Sequence, residues 1–386
     1  MDAYSLIVIG SGPGGVSAAR AYLSAGGAGP VLLLTADDDP PYQRPPLSKE
    51  ALRSADAQAL TPIDDDLADI EVRLSSPVAA VDLSRRWIRT AAQEIGFDHL
   101  VLAPGSHPAL LPDLPSEADW HVLRTAADLR RLTTAAGQAR TAVVVGSGFI
   151  GCEAAASLAI RGLQVTLVSP EIGPQQKRLG DDPSRAITGW LTSLDVRLLL
   201  GVEVSGVEAP RRVHLQNGTT LEPDLLLLAL GATPSTDFLA SSGLVLDEGR
   251  ICVDRRLETS TRGVYAVGDA ALAQHAVAGR AIAVEHWGDA EAMGTVAGRN
   301  AAGGSEVWDT VPGFWSEVGE HTLMYAAWGD GWDRLEVVED GEAFTVWYAR
   351  NDVLVGVLTH EHEDDYERGR ALIAGGASLA AALSSG

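Results

Sequence analysis

Lysine and cysteine are nearly missing from this 386-residue chain, which has two of each: Lys49 and Lys177, Cys152 and Cys252. The cysteines are 100 residues apart and make neither a CxxC nor a metal-ligand spacing. That excludes a disulfide framework, a zinc-binding cluster and a thioredoxin-type dithiol, and it fits a reducing compartment, so the cytoplasm is the expected location. Basic residues as a class are scarce. Against 52 Asp and Glu stand 29 Lys and Arg, a formal net charge of −23. Such a field argues against nucleic acid and anionic membrane as partners. No apolar run reaches the roughly 20 residues of a membrane-spanning helix. The N-terminus, MDAYSLIVIGSG, has no basic leader and turns at once into a strand pattern, so no signal peptide is expected.

What is abundant is small and apolar. Glycine occurs 41 times and hydrophobic residues make up 46% of the chain. At this length the chain holds two or three domains with real cores.

An internal repeat organises it. Residues 5–20 read SLIVIGSGPGGVSAAR and residues 141–156 read TAVVVGSGFIGCEAAA. Each copy is an apolar run of strand length, a glycine turn and a small-residue helix, followed by a second apolar run, VLLLTAD (31–37) or LQVTLVS (163–169). Gly10, Gly12 and Gly15 give G-x-G-x-x-G between strand and helix, and Gly146, Gly148 and Gly151 give it again. The first glycine permits the tight turn, the second lets a pyrophosphate approach the backbone, and the third packs helix on strand. The free N–H groups of the helix N-terminus face the phosphates. One such motif is weak; two in this context predict two dinucleotide sites.

A carboxylate at the end of the second strand is expected to hold an adenosine ribose. Asp37, 22 residues beyond Gly15, fits in the first copy. In the second copy the strand ends Ser169-Pro170-Glu171, so the acid is absent from the expected place and Glu171 is the candidate replacement. Lys177 and Arg178 follow, either as partners of a 2′-phosphate or as surface charges. The second dinucleotide stays open between NAD and NADP.

Elsewhere residues 70–105 read as β-rich, DLLLLALGA (224–232) as a buried strand ending in the turn at Gly231, and RGVYAVGDAA (262–271) as a short strand ending in Gly-Asp. AEAMGTVAGRNAAG (290–303) reads as a helix. From about residue 306 alternating runs predict an antiparallel sheet with a terminal helix, and five of nine tryptophans fall there, most of them expected in its core. HEHEDDYE (360–367) is read as a helix start with solvated acids rather than a metal site, and the acid run at 64–71 as solvated turns. The fold class is therefore α/β, with two Rossmann-like dinucleotide-binding domains and a small α+β C-terminal domain. The expected boundaries are 1–108 with 232–305, 109–231, and 306–386.

PPYQRPPLSKE (40–50) carries four prolines and then Lys49. Proline fixes φ and stiffens the residue before it, so this segment loses little entropy on ordering. Together with GSGPGG (10–15), GSGFIGCE (146–153), YAVGDAA (265–271), VEHWGDA (284–290) and PGFWS (312–316), it resembles the FAD-dependent ferredoxin reductases of oxygenase systems, the putidaredoxin, biphenyl dioxygenase and rubredoxin reductase family. The resemblance runs nearly the full length, with RPPLSK its most discriminating piece.

The resemblance implies that the first copy binds FAD and the second NAD(P)H, in a glutathione-reductase-like arrangement. It implies that Arg44 lies along FAD, that Lys49 reaches the flavin N5 edge, and that Glu153 pairs with Lys49 beside the nicotinamide. Lys49 and Glu153 are the candidate catalytic pair. Asp269 is implied on the ribityl chain, Trp287 behind the isoalloxazine, Trp315 near the flavin from the C-terminal domain, and the Val78 backbone at the adenine. Ala103-Pro104-Gly105 departs from the family's Ala-Thr-Gly, losing a hydroxyl at a domain crossover. From the residues alone, Glu153 also reads as an ordinary helix N-terminal carboxylate, and Cys152 as a small packing residue. The implied activity is hydride transfer from NAD(P)H to FAD and single-electron delivery to a small iron–sulfur ferredoxin by a monomer or homodimer. Two other readings are an NAD(P)H oxidase or peroxidase, against which the missing cysteine near RPPLSK counts, and a redox-sensing FAD-binding interaction protein.

Overall fold

The computed structural model describes residues 2–54, 60–63 and 67–384. The first sheet is built on Asp2–Ile9, flanked in parallel by Val31–Leu34 and Glu94–Leu102; Ile70–Arg73 extends one edge and Val264–Ala266 pairs with Glu94–Leu102. The antiparallel strands Trp87–Thr90 and Val78–Asp82 continue the other side. Leu6, Ile7, Val8, Leu32, Leu33, Leu100, Val101 and Leu102 are all fully buried. Both faces of these strands are covered, which is why they read as continuous apolar runs rather than alternating ones.

Helices Pro13–Ser24 and Trp287–Ala301 pack closely on one face. A Cβ on Gly294 would sit 2.2 Å from the Gly14 carbonyl oxygen, and one on Gly298 2.1 Å from that of Ala18. The small residues of both helices therefore set how close the two backbones come.

The second sheet is parallel throughout, in the order Arg197–Leu200, Gln164–Ser169, Thr141–Val145, Leu225–Leu228. The chain passes between the two sheets twice. Those passages pair antiparallel as Ser106–Pro108 with Ala232–Pro234, so both crossings lie side by side.

The C-terminal region is a five-stranded antiparallel sheet with helix Glu363–Ala374 behind it. Its strands alternate between two cores. Val346 and Tyr348 share a core with Leu158 of the helix Phe149–Ile160 and with Leu167 and Leu227 of the second parallel sheet, whereas Trp347 packs with Val357 and Tyr366 on the other side. One face of the small sheet is thus fused to the second Rossmann layer.

Three expectations are adjusted. Of the five C-terminal tryptophans, Trp347 lies fully in the core of this sheet; Trp308 is buried instead in the first domain's core, Trp328 and Trp332 are half-buried, and Trp315 is exposed. The residues around 360–367 do start a helix, with Glu363, Asp364 and Asp365 in its first turn, though Asp365 also accepts a hydrogen bond from Thr345. Of the acid run at 64–71, residues 64–66 lie outside the described residues. Glu71 is on a strand rather than in a turn, where its carboxylate takes the Tyr4 hydroxyl and Arg73.

Candidate functional site

The two glycine turns are built alike. Gly10 has φ +109° and Gly146 φ +112°, a region costly for any residue with a Cβ. An added Cβ would meet the Ala103 oxygen at 2.0 Å in the first turn and the Ala229 oxygen at 2.2 Å in the second. Gly15 and Gly151 each pack on the carbonyl of their own first glycine, where a Cβ would fall 1.9 Å and 2.1 Å away. Gly12 faces open space. The helices that follow are capped by Gly12 and Gly148 without a side-chain acceptor, so their first N–H groups are not capped from within.

The likeness extends to the strand ends. Ser11 donates to Thr35 at 2.8 Å, and Ser147 pairs with Ser169 at 2.7 Å. The Asp37 amide then donates to the Thr35 hydroxyl at 3.1 Å, and the Glu171 amide to the Ser169 hydroxyl at 3.2 Å. Ser169 therefore occupies the place of Thr35, and Glu171 that of Asp37. The second copy keeps its acid, in register with the first. The two acids differ in surroundings: Asp37 takes Arg44 at 2.9 Å and the Tyr42 hydroxyl at 3.3 Å, whereas one buried Glu171 oxygen has no partner.

Between the two turns lies a cavity of about 1070 Å³. The proline segment lines one side. Pro45–Ser48 form a turn of 3₁₀ helix, and Arg44 at its head bonds to Asp37 and to the Arg124 carbonyl. At its foot the Lys49 ammonium lies 3.0 Å from the Glu153 carboxylate and 3.1 Å from the Pro45 carbonyl. Both members of the pair are buried. The same carboxylate accepts from the Ser48 hydroxyl, from the Ser316 hydroxyl at 2.7 Å and from the Glu317 amide at 3.2 Å. This is a built acceptor site, more than the ordinary helix-terminal carboxylate that was the alternative reading of Glu153.

Asp269 closes the cavity beneath, held by Arg124 at 2.7 Å and by the Ser106 hydroxyl at 2.6 Å. Around the mouth, Phe149 stands edge-on to Phe314 at 4.7 Å, with His286 and Tyr325 against the same ring. The Arg178 guanidinium lies 5.5–5.8 Å from the centres of Phe149, Phe314 and Tyr325. Among the cavity-lining cations in the described residues, Arg44, Lys49 and Arg124 each meet a carboxylate; Arg178 meets aromatic faces instead.

Residues 4–294 match the family described as pyridine nucleotide-disulphide oxidoreductase, and residues 313–385 match the reductase C-terminal family. The chain belongs to the pyridine nucleotide-disulphide oxidoreductase family. Within it, the chain is 31% identical to rhodocoxin reductase of Rhodococcus erythropolis, over 96% of this chain and 89% of that protein. It is 30% identical to human apoptosis-inducing factor 3 over 97% of its own length, and spans 64% of that relative. A solved ferredoxin reductase of the CYP199A2 system from Rhodopseudomonas palustris superposes with a TM-score of 0.91 at 28% identity, covering 97% of this chain and 96% of the other.

The cofactors of this oxidoreductase family are FAD and NAD(P)H, and the residues fit them. Each loop is a cradle that a Cβ would fill, each presents an uncapped helix N-terminus, and each has an acid at the following strand end. The disulphide chemistry of the family name finds no dithiol here. Cys152 is buried, its thiol donates to the Ser147 carbonyl at 3.4 Å, and burial pushes its pKa well above the usual range, as a packing residue requires.

Gly10, Gly12, Asp37, Arg44, Lys49, Val78, Ala103, Gly148, Gly151, Glu153, Gly231, Asp269, Trp287 and Trp315 all line the one cavity. Gly15 and Gly146 lie behind it, where they set the turns. Glu171 stands apart, lining a second cavity of about 600 Å³ with Lys177 and Trp332. Arg124, Ser106, Ser48 and the Phe149–Phe314–Tyr325 cluster were missed by sequence reasoning. Ser48 sits beside Lys49 in the quoted motif and had a signal; Arg124 and Tyr325 had none.

Proposed function

We propose that this protein is a FAD-dependent ferredoxin–NAD(P)+ reductase: it takes hydride from NAD(P)H onto FAD and passes electrons singly to a small iron–sulfur ferredoxin that serves an oxygenase or cytochrome P450. The observation that carries this reading is the buried Lys49–Glu153 pair, placed in one cavity between two dinucleotide cradles in a chain with no dithiol. When bound, FAD supplies an acceptor that takes two electrons together and can release them one at a time.

The chain's own residues divide the remaining work. Lys49 presents a cation where negative charge develops on hydride arrival, and such a preset charge lowers the barrier because it need not reorganise. Glu153 orients that cation. Arg44 and Val78 hold the adenosine side of FAD, Asp269 its ribityl chain, and Trp287 and Trp315 its ring. Gly146, Gly148, Gly151 and Gly231 shape the nicotinamide dinucleotide site, Glu171 takes its ribose, and Arg178 leaves the aromatic faces for its phosphates. The boundaries are 1–108 with 232–305 for the FAD-binding domain, 109–231 for the NAD(P)-binding domain and 306–386 for the C-terminal domain. The protein acts in the cytoplasm as a monomer or homodimer, away from nucleic acid and membrane. No helix among the described residues is long and apolar enough to cross a membrane.

One observation favours a second reading, a redox-sensing FAD-binding protein: the identity with apoptosis-inducing factor 3. Three readouts separate these readings from each other and from an oxidase. NAD(P)H-driven cytochrome c reduction that depends on an added ferredoxin supports the reductase. Slow flavin reduction with no ferredoxin dependence supports the sensor. Fast oxygen consumption by the protein alone supports an oxidase.

A further inference from the structure

Glu153 has more to satisfy than its ion pair. Its Oε2 takes the Ser48 hydroxyl and the Lys49 ammonium; its Oε1 takes the Ser316 hydroxyl at 2.7 Å and the Glu317 amide at 3.2 Å. A carboxylate accepts and cannot donate when ionised, so Ser316 is the donor. Ser316 belongs to the strand Gly313–Val318 of the C-terminal sheet, 163 residues from Glu153, and is 1% exposed. Its neighbour Trp315 is 41% exposed. Adjacent residues on a strand point to opposite faces. The strand thus turns its serine onto the ion pair and its tryptophan to the opposite, exposed side, where it lines the cavity.

We infer that Ser316 is a positioning residue for Lys49, acting through Glu153, and that the C-terminal domain thereby forms part of the hydride site. This rests on the proposed reductase reading. With Oε1 anchored from the C-terminal sheet, Glu153 presents one oxygen to Lys49, and the ammonium stays free to lean toward the flavin edge as charge grows there. Without the Ser316 hydroxyl, Oε1 keeps a single donor at 3.2 Å. The carboxylate then rotates to meet the ammonium with both oxygens and draws it back. Charge-assisted hydrogen bonds are the stronger kind, so the loss is felt.

The test is a double-mutant cycle on the FAD-loaded protein. Ser316→Ala slows flavin reduction by NAD(P)H about tenfold, the size expected for one hydrogen bond to a charged group. It shifts the flavin midpoint potential to a more negative value and leaves the KM for NAD(P)H unchanged. Ser316→Thr, which keeps the hydroxyl, restores both. In a Glu153→Gln background Ser316→Ala adds little, because the two act as one unit. Equal slowing in both backgrounds, or an unmoved potential, overturns the inference by making Ser316 merely structural. Should Ser316→Ala fail to hold FAD, Ser316→Cys replaces it in the same cycle and the same outcomes decide. Lys49→Ala runs in parallel. If it slows reduction while Ser316→Ala does not, this inference fails and the reductase reading stands; if neither does, the reductase pair itself fails.

Discussion

Lys49 and Glu153 meet at 3.0 Å across 104 residues of sequence, both buried, at the junction of two Rossmann layers and a third sheet. A buried charge costs several kcal/mol to desolvate and persists only where partners compensate it. Here the compensation is unequal. Glu153 has four donors, whereas Lys49 has Glu153 and the Pro45 carbonyl.

That inequality predicts unequal stability losses. Glu153→Ala leaves an ammonium with one neutral acceptor and orphans two serine hydroxyls, at a cost of about 3–5 kcal/mol. Lys49→Ala leaves a carboxylate that still has three donors and costs less. Urea unfolding of the two variants checks this; equal midpoints would contradict it.

The glycines separate folding from binding. Gly12 has extended backbone and open space around it, so Gly12→Ala keeps the wild-type melting temperature and weakens FAD binding at the phosphate approach. Gly15→Ala drives a Cβ to 1.9 Å from the Gly10 oxygen and destabilises the fold itself. Thermal melting beside FAD retention after gel filtration distinguishes the two outcomes.

Glu171 stands where Asp37 stands in the first copy, and its proposed partner is the ribose of the nicotinamide dinucleotide. Glu171→Ala is expected to raise the KM for NADH about tenfold with little change in kcat, the pattern of lost uniform binding. Steady-state kinetics with NADH and NADPH check this. A kcat loss with unchanged KM would place Glu171 elsewhere in the mechanism.

Acid weakens the fold through histidine. His275 receives the Val277 and Ala278 amides on Nδ1 and bonds to the Thr310 carbonyl through Nε2, an arrangement that holds the neutral ring. Burial lowers its pKa, and burial also lowers those of His99, His121 and His321. A depressed folded-state pKa means the unfolded chain takes up protons first. The stability is therefore fully present above the unfolded value of about 6.5 and is lost as pH falls below it. Calorimetric melting should show a falling midpoint from about pH 7 to about pH 5, and His275→Asn should flatten that slope.

The first-level architecture was legible because it rests on local signals: two glycine turns between strand and helix, and period-two runs at the C-terminus. The proline segment was legible too, and Arg44 and Lys49 sit where its stiffness holds them. The strand-end acid was partly legible: Glu171, two residues past Ser169, was the expected replacement, but that Ser169 does the work of Thr35 is visible only once Ser11–Thr35 and Ser147–Ser169 are seen to be equivalent. Ser316, Arg124 and the aromatic cluster depend on contacts between distant segments, which leave no local trace. The tryptophans show the same limit: composition concentrates them in one region, and packing divides them among three cores and the surface.

In the proposed function Lys49 accelerates hydride arrival at the flavin. Anaerobic stopped-flow reduction of the FAD-loaded protein, wild type against Lys49→Ala, decides whether it does. The variant should be folded and yellow and be reduced by NAD(P)H roughly a hundredfold more slowly, the scale of one preset electrostatic donor. Reduction at the wild-type rate by folded, FAD-loaded Lys49→Ala would contradict it.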